Sequence, residues 1–343
     1  MHLYPKRAVL GAELEIFKLL SFAATPEQWA EWLRAPLEHA AARGNVGLVE
    51  RLLEAGADGG PGWRGCRGRT MLDAAALGGN ADVVIKLLES GCVPDVNVVS
   101  VSSRRSALHL AVVCGHEAAA RTLMIAGADI RRVDPGDQCV PFHVAVEGGH
   151  NDLVGNLLIG GACPNSRTRF GRTPLHVAAE LGNNRVVSTL LGNTSTDIDA
   201  LDNDGFSPLM LASTSGHRST VEVLLRAGAD TTPRSSHIED HRGAAFDLAA
   251  AQGHVEVVIA FLGNGEDARA VGPHGHTALH MAAQHKHGGE MVNMQREIQS
   301  ALVLLARAPA DRTWRRRCWL VMLRTRAGRE REARSSSSTS GSD

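Results

Sequence analysis

Thr173-Pro174-Leu175-His176-Val177-Ala178-Ala179-Glu180-Leu181-Gly182-Asn183 decides the fold, because its parts recur along the whole chain. The slot of Leu175 is filled by an apolar anchor at Leu37, Leu72, Leu108, Phe142, Leu175, Leu209, Phe246 and Leu279, at intervals of 35, 36, 34, 33, 34, 37 and 33 residues. A near-constant period of this size predicts a stacked solenoid rather than one globular body around a single active site.

Other positions keep time with the anchor. Seven residues on stands Gly44, Gly79, Gly115, Gly149, Gly182, Gly216 or Gly253, followed by Asn45, Asn80, His116, His150, Asn183, His217 or His254. Nineteen residues after the anchor, Gly56, Gly91, Gly127, Gly161, Gly228 and Gly265 recur. Between the two glycines lie apolar residues at helical spacing, such as Val83-Val84 with Leu87-Leu88. Each unit therefore reads as helix, tight turn, helix and glycine stop. Thr173 is placed to cap the first helix, with Pro174 at its first position, where a missing N–H is harmless. Small residues such as Ala178 and Ala179 allow close approach of neighbouring helices. One such unit cannot bury its own apolar face, but a stack forms one continuous core.

These residues resemble the ankyrin repeat family. Thr173-Pro174-Leu175-His176 matches its signature, Ser207-Pro208-Leu209 and Thr277-Ala278-Leu279-His280 come close, and Leu225-Arg226-Ala227-Gly228-Ala229-Asp230 matches its second-helix ending. The resemblance implies an all-α, L-shaped solenoid with hairpin-like fingers along one edge, and protein binding through fingers and inner helices. The expected organisation is an N-terminal helical cap over 1–34 and an array of eight repeats over 35–310, the last carrying an insertion. A basic extension over 311–334 and a disordered Ser-rich tail over 335–343 follow.

Within the cap, two short helices are expected, one over the apolar positions of 7–22 and one after the capping box Thr25-Pro26-Glu27-Gln28. Glu13 and Glu15 interrupt the first run, which fits neither a signal peptide nor a membrane span. The six cysteines form no Cys-x-x-Cys pair and read as reduced thiols, so an intracellular protein, cytoplasmic or nuclear, is expected. Aromatics make up only 4%, so the core must be built of Ala, Leu and Val.

Net charge is −1, yet its distribution is uneven. Over 307–334 ten arginines, Arg315, Arg316, Arg317, Arg324 and Arg326 among them, outweigh three acids and leave a local +7, while 1–306 carries −7. These arginines bracket the apolar block Trp319-Leu320-Val321-Met322-Leu323. Three readings stand for it: completion of the solenoid core, contact with nucleic acid or an import receptor, and attachment to an anionic membrane or a calmodulin-like partner.

Chemical motifs are sparse. His109, His143, His176 and His280 fill the Thr-Pro-Leu-His slot, where the ring is expected to bridge backbone groups of adjoining turns. His116, His150, His217 and His254 follow the turn glycine, so architecture absorbs eight of the sixteen histidines. In the cluster His274, His276, His280, His285 and His287, His280 and His285 are five apart rather than the favourable four, and no Cys or carboxylate joins in. Gly60-Pro61-Gly62-Trp63-Arg64-Gly65 spells a dinucleotide-loop pattern but follows a helix stop rather than a strand. The chain reads as no enzyme, with no cofactor, metal or small-molecule substrate.

Recognition is therefore expected on the fingers. Finger one carries Trp63, Arg64 and Arg67; finger two carries Arg104 and Arg105; finger four carries Arg167, Arg169, Phe170 and Arg172. Finger five is opposite in sign, with Asp197, Asp199, Asp202 and Asp204. The pattern suggests a bipolar edge for a protein partner, its basic part suited to an acidic segment, whereas the groove positions lack aromatic anchors. A rival reading makes the chain a regulator tethered to nucleic acid or a membrane by its Arg-rich end.

Overall fold

The computed structural model describes residues 26–58, 64–65, 68–93, 95–101, 104–133, 139–231 and 245–266. Among the described residues there are fourteen helices and no strand, only an isolated bridge between Val99 and Ser106. The chain divides into two compact units, Met1–Ala178 with Arg185–Asp197, and Ala179–Asn184 with Ile198–Asp343. The first repeated stretch to be read, that around Leu175, lies at the division, which passes through α9 (Pro174–Glu180) and the start of α10 (Asn184–Leu191).

In the first unit, α1 (Pro26–Ala42), α3 (Met71–Gly78), α5 (Ala107–Val113) and α7 (Pro141–Glu147) pack in succession as one row. A second row is formed by α2 (Val46–Glu54), α4 (Ala81–Glu89), α6 (Glu117–Ile125) and α8 (Asn151–Ile159). The second unit repeats the arrangement, α11 (Pro208–Thr214) packing on α13 (Ala245–Ala251), and α12 (Arg218–Arg226) on α14 (Val255–Asn264). Apart from α1, none of these helices exceeds 10 residues. Isolated helices so short are marginal in water, so packing of the apolar face holds them.

That packing falls on the anchors. Leu37, Leu72, Leu108, Phe142, Leu175, Leu209 and Phe246 are each at most 5% exposed. The eighth, Leu279, lies outside the described residues, as do the region 7–22, the histidine cluster near His280 and everything from 267 onward. Ala and Val fill the remaining interior: Ala111, Val112, Ala145, Val146, Ala178 and Ala179 are all fully buried. In the second unit Phe246 and Phe261 meet edge to face at 5.8 Å, a geometry the ring quadrupoles favour.

The start differs from the expectation of a separate cap helix. The helix beginning at Pro26 does not stop before the first anchor but runs 17 residues to Ala42, with Pro36 inside it. An interior proline removes one helical hydrogen bond and costs about 3 kcal/mol. Burial overrides that break here, because Leu33 and Leu37 flank Pro36 at 2% and 0% exposure.

The turn glycines and the residue after them form a staple between repeats. Every one, from Gly44 to Gly253, takes a positive φ between 68° and 79°. At Gly79 (φ 73°) the imidazole of His116, one repeat on, lies where a Cβ would be, 2.5 Å from its Nδ1. The same ring reaches back with Nε2 to the carbonyl of Leu77 at 3.1 Å. In the second unit His217 does this to Glu180 O and His254 to Thr214 O, both at 2.8 Å. Asn80 is the shorter version, donating from Nδ2 to Gly44 O at 3.1 Å.

The other histidine slot is the third position of each first-row helix. There His176 Nδ1 accepts from the Thr173 N–H at 3.1 Å and meets its hydroxyl at 2.7 Å, so the ring takes the place of the Glu or Gln that receives the N-cap N–H in a capping box. The opposite ring nitrogen works outward: His143 Nε2 donates to Ser166 O at 3.1 Å, in the next finger. Neutral imidazole can fill either role, accepting as at His176 or donating as at His143, whose own Nδ1 is buried without a hydrogen-bond partner. Burial holds His143 below the ordinary histidine range and so keeps it neutral.

Asp73 occupies the same slot in α3. One carboxylate oxygen completes the capping box, Thr70 N donating to Oδ2 at 2.8 Å while Asp73 N donates to Thr70 Oγ1 at 3.0 Å. The other, Oδ1, is buried without a hydrogen-bond partner. An ionised carboxylate has only acceptors to offer, so burial raises this group to about 6, against the lowering pull of the Thr70 hydrogen bonds and of Arg64 and Arg69.

Candidate protein-docking edge

The fingers of the first unit are built from tight turns that carry arginine, some exposed and some half-buried. In finger one, Gly65 N donates to Arg69 O at 2.8 Å and Gly68 N to Gly65 O at 3.1 Å, while Arg64 and Arg69 are half-buried. Trp63 and Arg67 lie outside the described residues. Finger two turns back through Ser100 N to Arg105 O at 3.0 Å and Arg104 N to Ser100 O at 2.9 Å. Arg104 is exposed and takes a left-handed backbone, φ 56°, otherwise confined to glycine among the described residues.

Finger four is closed by Thr168 N to Arg172 O at 3.0 Å and Gly171 N to Thr168 O at 2.8 Å. Arg167 braces the turn, its Nη1 donating to Gly171 O at 3.0 Å. Arg169 lies over the Phe170 ring, 4.5 Å from its centroid, and Phe170 is 54% exposed. Exposed cation–π pairs contribute about 0.5–1 kcal/mol, enough to orient an aromatic side chain that faces water.

Neighbouring fingers are tied by backbone and amide groups. Val101 N donates to Gly68 O at 3.0 Å, joining fingers one and two. Asn97 joins fingers two and three, Oδ1 accepting from Asp129 N at 2.7 Å and Nδ2 donating to Gly127 O at 3.4 Å. Asn165 repeats this clasp on Asp197 N and Ser195 O, at 2.9 and 2.7 Å. Asn97→Ala is expected to lower stability by about 1 kcal/mol, the usual net worth of such bonds plus one orphaned N–H, as read from a chemical-denaturation midpoint.

Finger three supplies arginines that the sequence reading passed over. Arg131 is exposed and Arg132 half-buried, both beside the Asx turn in which Arg131 N donates to Asp129 Oδ1 at 2.9 Å. The signal was an Arg-Arg pair soon after the second-helix glycine Gly127, at a different place in its unit from Arg104-Arg105. With it the basic edge runs through all four fingers of this unit, nine described arginines against Asp58, Asp95 and Asp129. Asp58 is held by Arg34 at 2.9 Å, and Asp95 Oδ1 accepts from Asn97 N at 2.8 Å.

In the second unit the acids of finger five are partly used by the loop itself. Asp202 is 7% exposed, and its Oδ1 accepts from Asp204 N and Phe206 N at 2.9 and 2.8 Å. Asp199 Oδ1 takes Asp230 N at 2.8 Å, while Asp204 is exposed. The inner-row positions of the first unit, Arg43, Leu77, Gly78, Val113, Cys114, Glu147 and Gly148, include no aromatic residue. Val113 is 42% exposed. Arg315, Arg316, Arg317, Arg324 and Arg326 lie outside the described residues.

A family model described as ankyrin repeats (3 copies) matches residues 37–134 and 142–235, more than half of the chain. The chain belongs to the ankyrin repeat family. Among the similar proteins, neurogenic locus notch homolog protein 2 of Homo sapiens is 31% identical over 143 residues, 42% of this ankyrin repeat protein and 6% of that one. Neurogenic locus notch homolog protein 1 of Danio rerio is 32% identical over 124 residues, 36% of this chain and 5% of the relative. This ankyrin repeat protein therefore spans a small fraction of the relatives it matches. Ankyrin repeats generally mediate protein–protein interaction and are generally non-enzymatic. Among the described residues no group of His, Cys, Asp or Glu is arranged to hold a metal ion, and no helix is long and apolar enough to cross a membrane.

Proposed function

We propose that this protein is an interaction scaffold or adaptor that captures a partner protein on the finger edge of its first unit, with an acidic segment of that partner facing the arginines. The continuous basic run from finger one through finger four carries the reading. Exposed aromatic and arginine side chains together, as at Phe170 and Arg169, are the composition enriched where interfaces are strongest. In the second unit, the exposed Asp204 would suit a basic segment. The absence of Cys-x-x-Cys spacing, with no disulfide at the described Cys92, Cys114, Cys139 and Cys163, supports an intracellular setting, cytoplasmic or nuclear.

Replacing Arg167, Arg169 and Arg172 together by Glu tests the reading. Capture of partners from lysate should fall roughly tenfold or more, with a slower association that loses its salt dependence. Unchanged capture by a folded triple variant would remove the edge from the binding surface. The +7 of 307–334 supports a second reading, in which that segment tethers the chain to nucleic acid, an import receptor or an anionic membrane. A chain ended after Ala310 that keeps its cellular placement would exclude it.

A further inference from the structure

Ile125 and Ile159 are the two most exposed large apolar side chains among the described residues, at 82% and 87%. They are repeat equivalents, each seventeen residues after its anchor and each the last residue of its second-row helix. Those helices, α6 and α8, pack directly on one another. In the other repeats the same slot holds Glu54, Glu89, Gly192, Arg226 or Gly263, as suits a helix end in water. One exposed isoleucine needs no explanation, but two side by side in register do.

The pair belongs to a continuous uncharged surface. Met124 and Leu158, one residue earlier in each helix, are half-buried. Met124 reaches from α6 to the end of α8, its Cε 2.6 Å from where a Cβ on Gly160 would stand. Gly160 has φ −70°, which any residue adopts, so the missing side chain there admits the methionine rather than a special backbone. Ala126, Gly127, Gly160 and Gly161 continue the surface past the helix ends and are exposed. One turn back it is closed by a polar cluster across the two helices. Arg121 Nη2 donates to Glu117 Oε1 at 2.7 Å and to Asn156 Oδ1 at 3.4 Å, and Asn156 Nδ2 donates to Glu117 Oε1 at 3.1 Å.

The electrostatics of the two helix ends point to the occupant. In α2 and α4 the last turn carries Arg51 and Lys86, where a cation complements the partial negative charge of a helix C-terminus. The last turns of α6 and α8 carry no basic residue, so their final carbonyls leave that partial charge uncompensated beside the isoleucines. Four aliphatic side chains fall well short of the roughly 800 Å² per partner that a stable folded interface buries, which suits a short segment better than a second copy of the chain. We infer that the ends of α6 and α8 form a second docking surface, taking a short partner segment in which aliphatic residues adjoin lysine or arginine. The aliphatic side chains cover Ile125 and Ile159, and the cation compensates the helix ends. The inference goes beyond the proposed function, because the finger edge selects the opposite charge. Two surfaces of contrary preference on one unit would let an adaptor hold two partners.

The test uses the full chain and labelled synthetic peptides in fluorescence anisotropy. A peptide carrying Leu-Ile-Leu next to Arg-Lys-Arg is compared with one whose aliphatics are serine and one whose basic residues are glutamine. The aliphatic–basic peptide should bind roughly tenfold more tightly than either. Ile125→Ser with Ile159→Ser should abolish that preference, with the far-ultraviolet circular dichroism unchanged because both side chains face water. The same double variant should capture finger-edge partners as before, so failure here and failure of the finger reading are told apart. Undiminished peptide binding by the double variant would overturn the inference, as would equal affinity for the glutamine peptide. Self-association of the full chain in sedimentation velocity, lost in the double variant, would overturn it in favour of a second copy. Retention on phosphatidylserine vesicles, lost in the same variant, would overturn it in favour of a membrane surface.

Discussion

Gly79→Ala should destabilise the first unit by about 2–4 kcal/mol, read as a lowered urea midpoint. Two terms make up the loss. The backbone at φ 73° places an alanine in the left-handed region, at about 1–2 kcal/mol. The new methyl also meets the His116 ring, whose Nδ1 would lie 2.5 Å away, and the ring cannot swing aside without giving up its bond to Leu77 O. A buried hydrogen bond contributes about 1 kcal/mol net and more when a partner is orphaned. The two terms are separable. In a His116→Ala background, Gly79→Ala should cost only the backbone term. An equal loss in both backgrounds would show that the ring contact adds nothing.

Asp73→Asn should stabilise the protein at about pH 7.5 by up to about 3 kcal/mol and have little effect near pH 4, since a pKa unit is worth about 1.4 kcal/mol. The sign follows from the raised carboxyl, about 6 folded against 3.8 unfolded. Between these values the folded state holds the proton more tightly, so this group's contribution to stability falls as pH rises through the window and stays low above it. Asparagine keeps an acceptor for Thr70 N and, being neutral, removes the buried charge. Denaturation midpoints of both proteins across that range decide it. A gain of equal size at both ends would assign the effect to packing rather than ionisation.

Both predictions concern residues whose role depends on a neighbour one repeat or one turn away. His116 and His176 are the same residue type in the same helix-pair grammar, yet one reaches back to the preceding repeat and the other closes its own helix start. The periodic pattern marked both as architectural. It did not distinguish their partners, because hydrogen-bond reach across a stack is set by the packing distance of the helices rather than by spacing along the chain. Thr173 shows the same limit: its hydroxyl meets the His176 ring instead of acting alone as a cap.

Legibility of the candidate edge was similarly divided. Arg167, Arg169 and Phe170 were visible as a charged aromatic cluster in a loop between two helical stretches. Arg131 and Arg132 were equally visible as letters, but only the exposure of Arg131 and the closing of the Asp129 turn place them on the same edge. Asp202 went the other way. A carboxylate among four acids reads as surface charge, whereas two backbone N–H groups and burial bind it into its own loop.

The amino-acid sequence by itself determined the helix-pair solenoid, its anchors and its turn glycines. A period near 33 residues with one apolar stripe per helix leaves no other way to bury the stripe, and each glycine stands where a side chain would strain the backbone. Tertiary structure alone decided that α1 runs through Pro36, that Asp73 is left with a buried, unpartnered carboxylate oxygen, and that Val101, Val133 and Phe170 stand out in water. These depend on the surroundings each side chain meets once the repeats are stacked, and burial, partner and solvent access are properties of that stack rather than of any local run of residues.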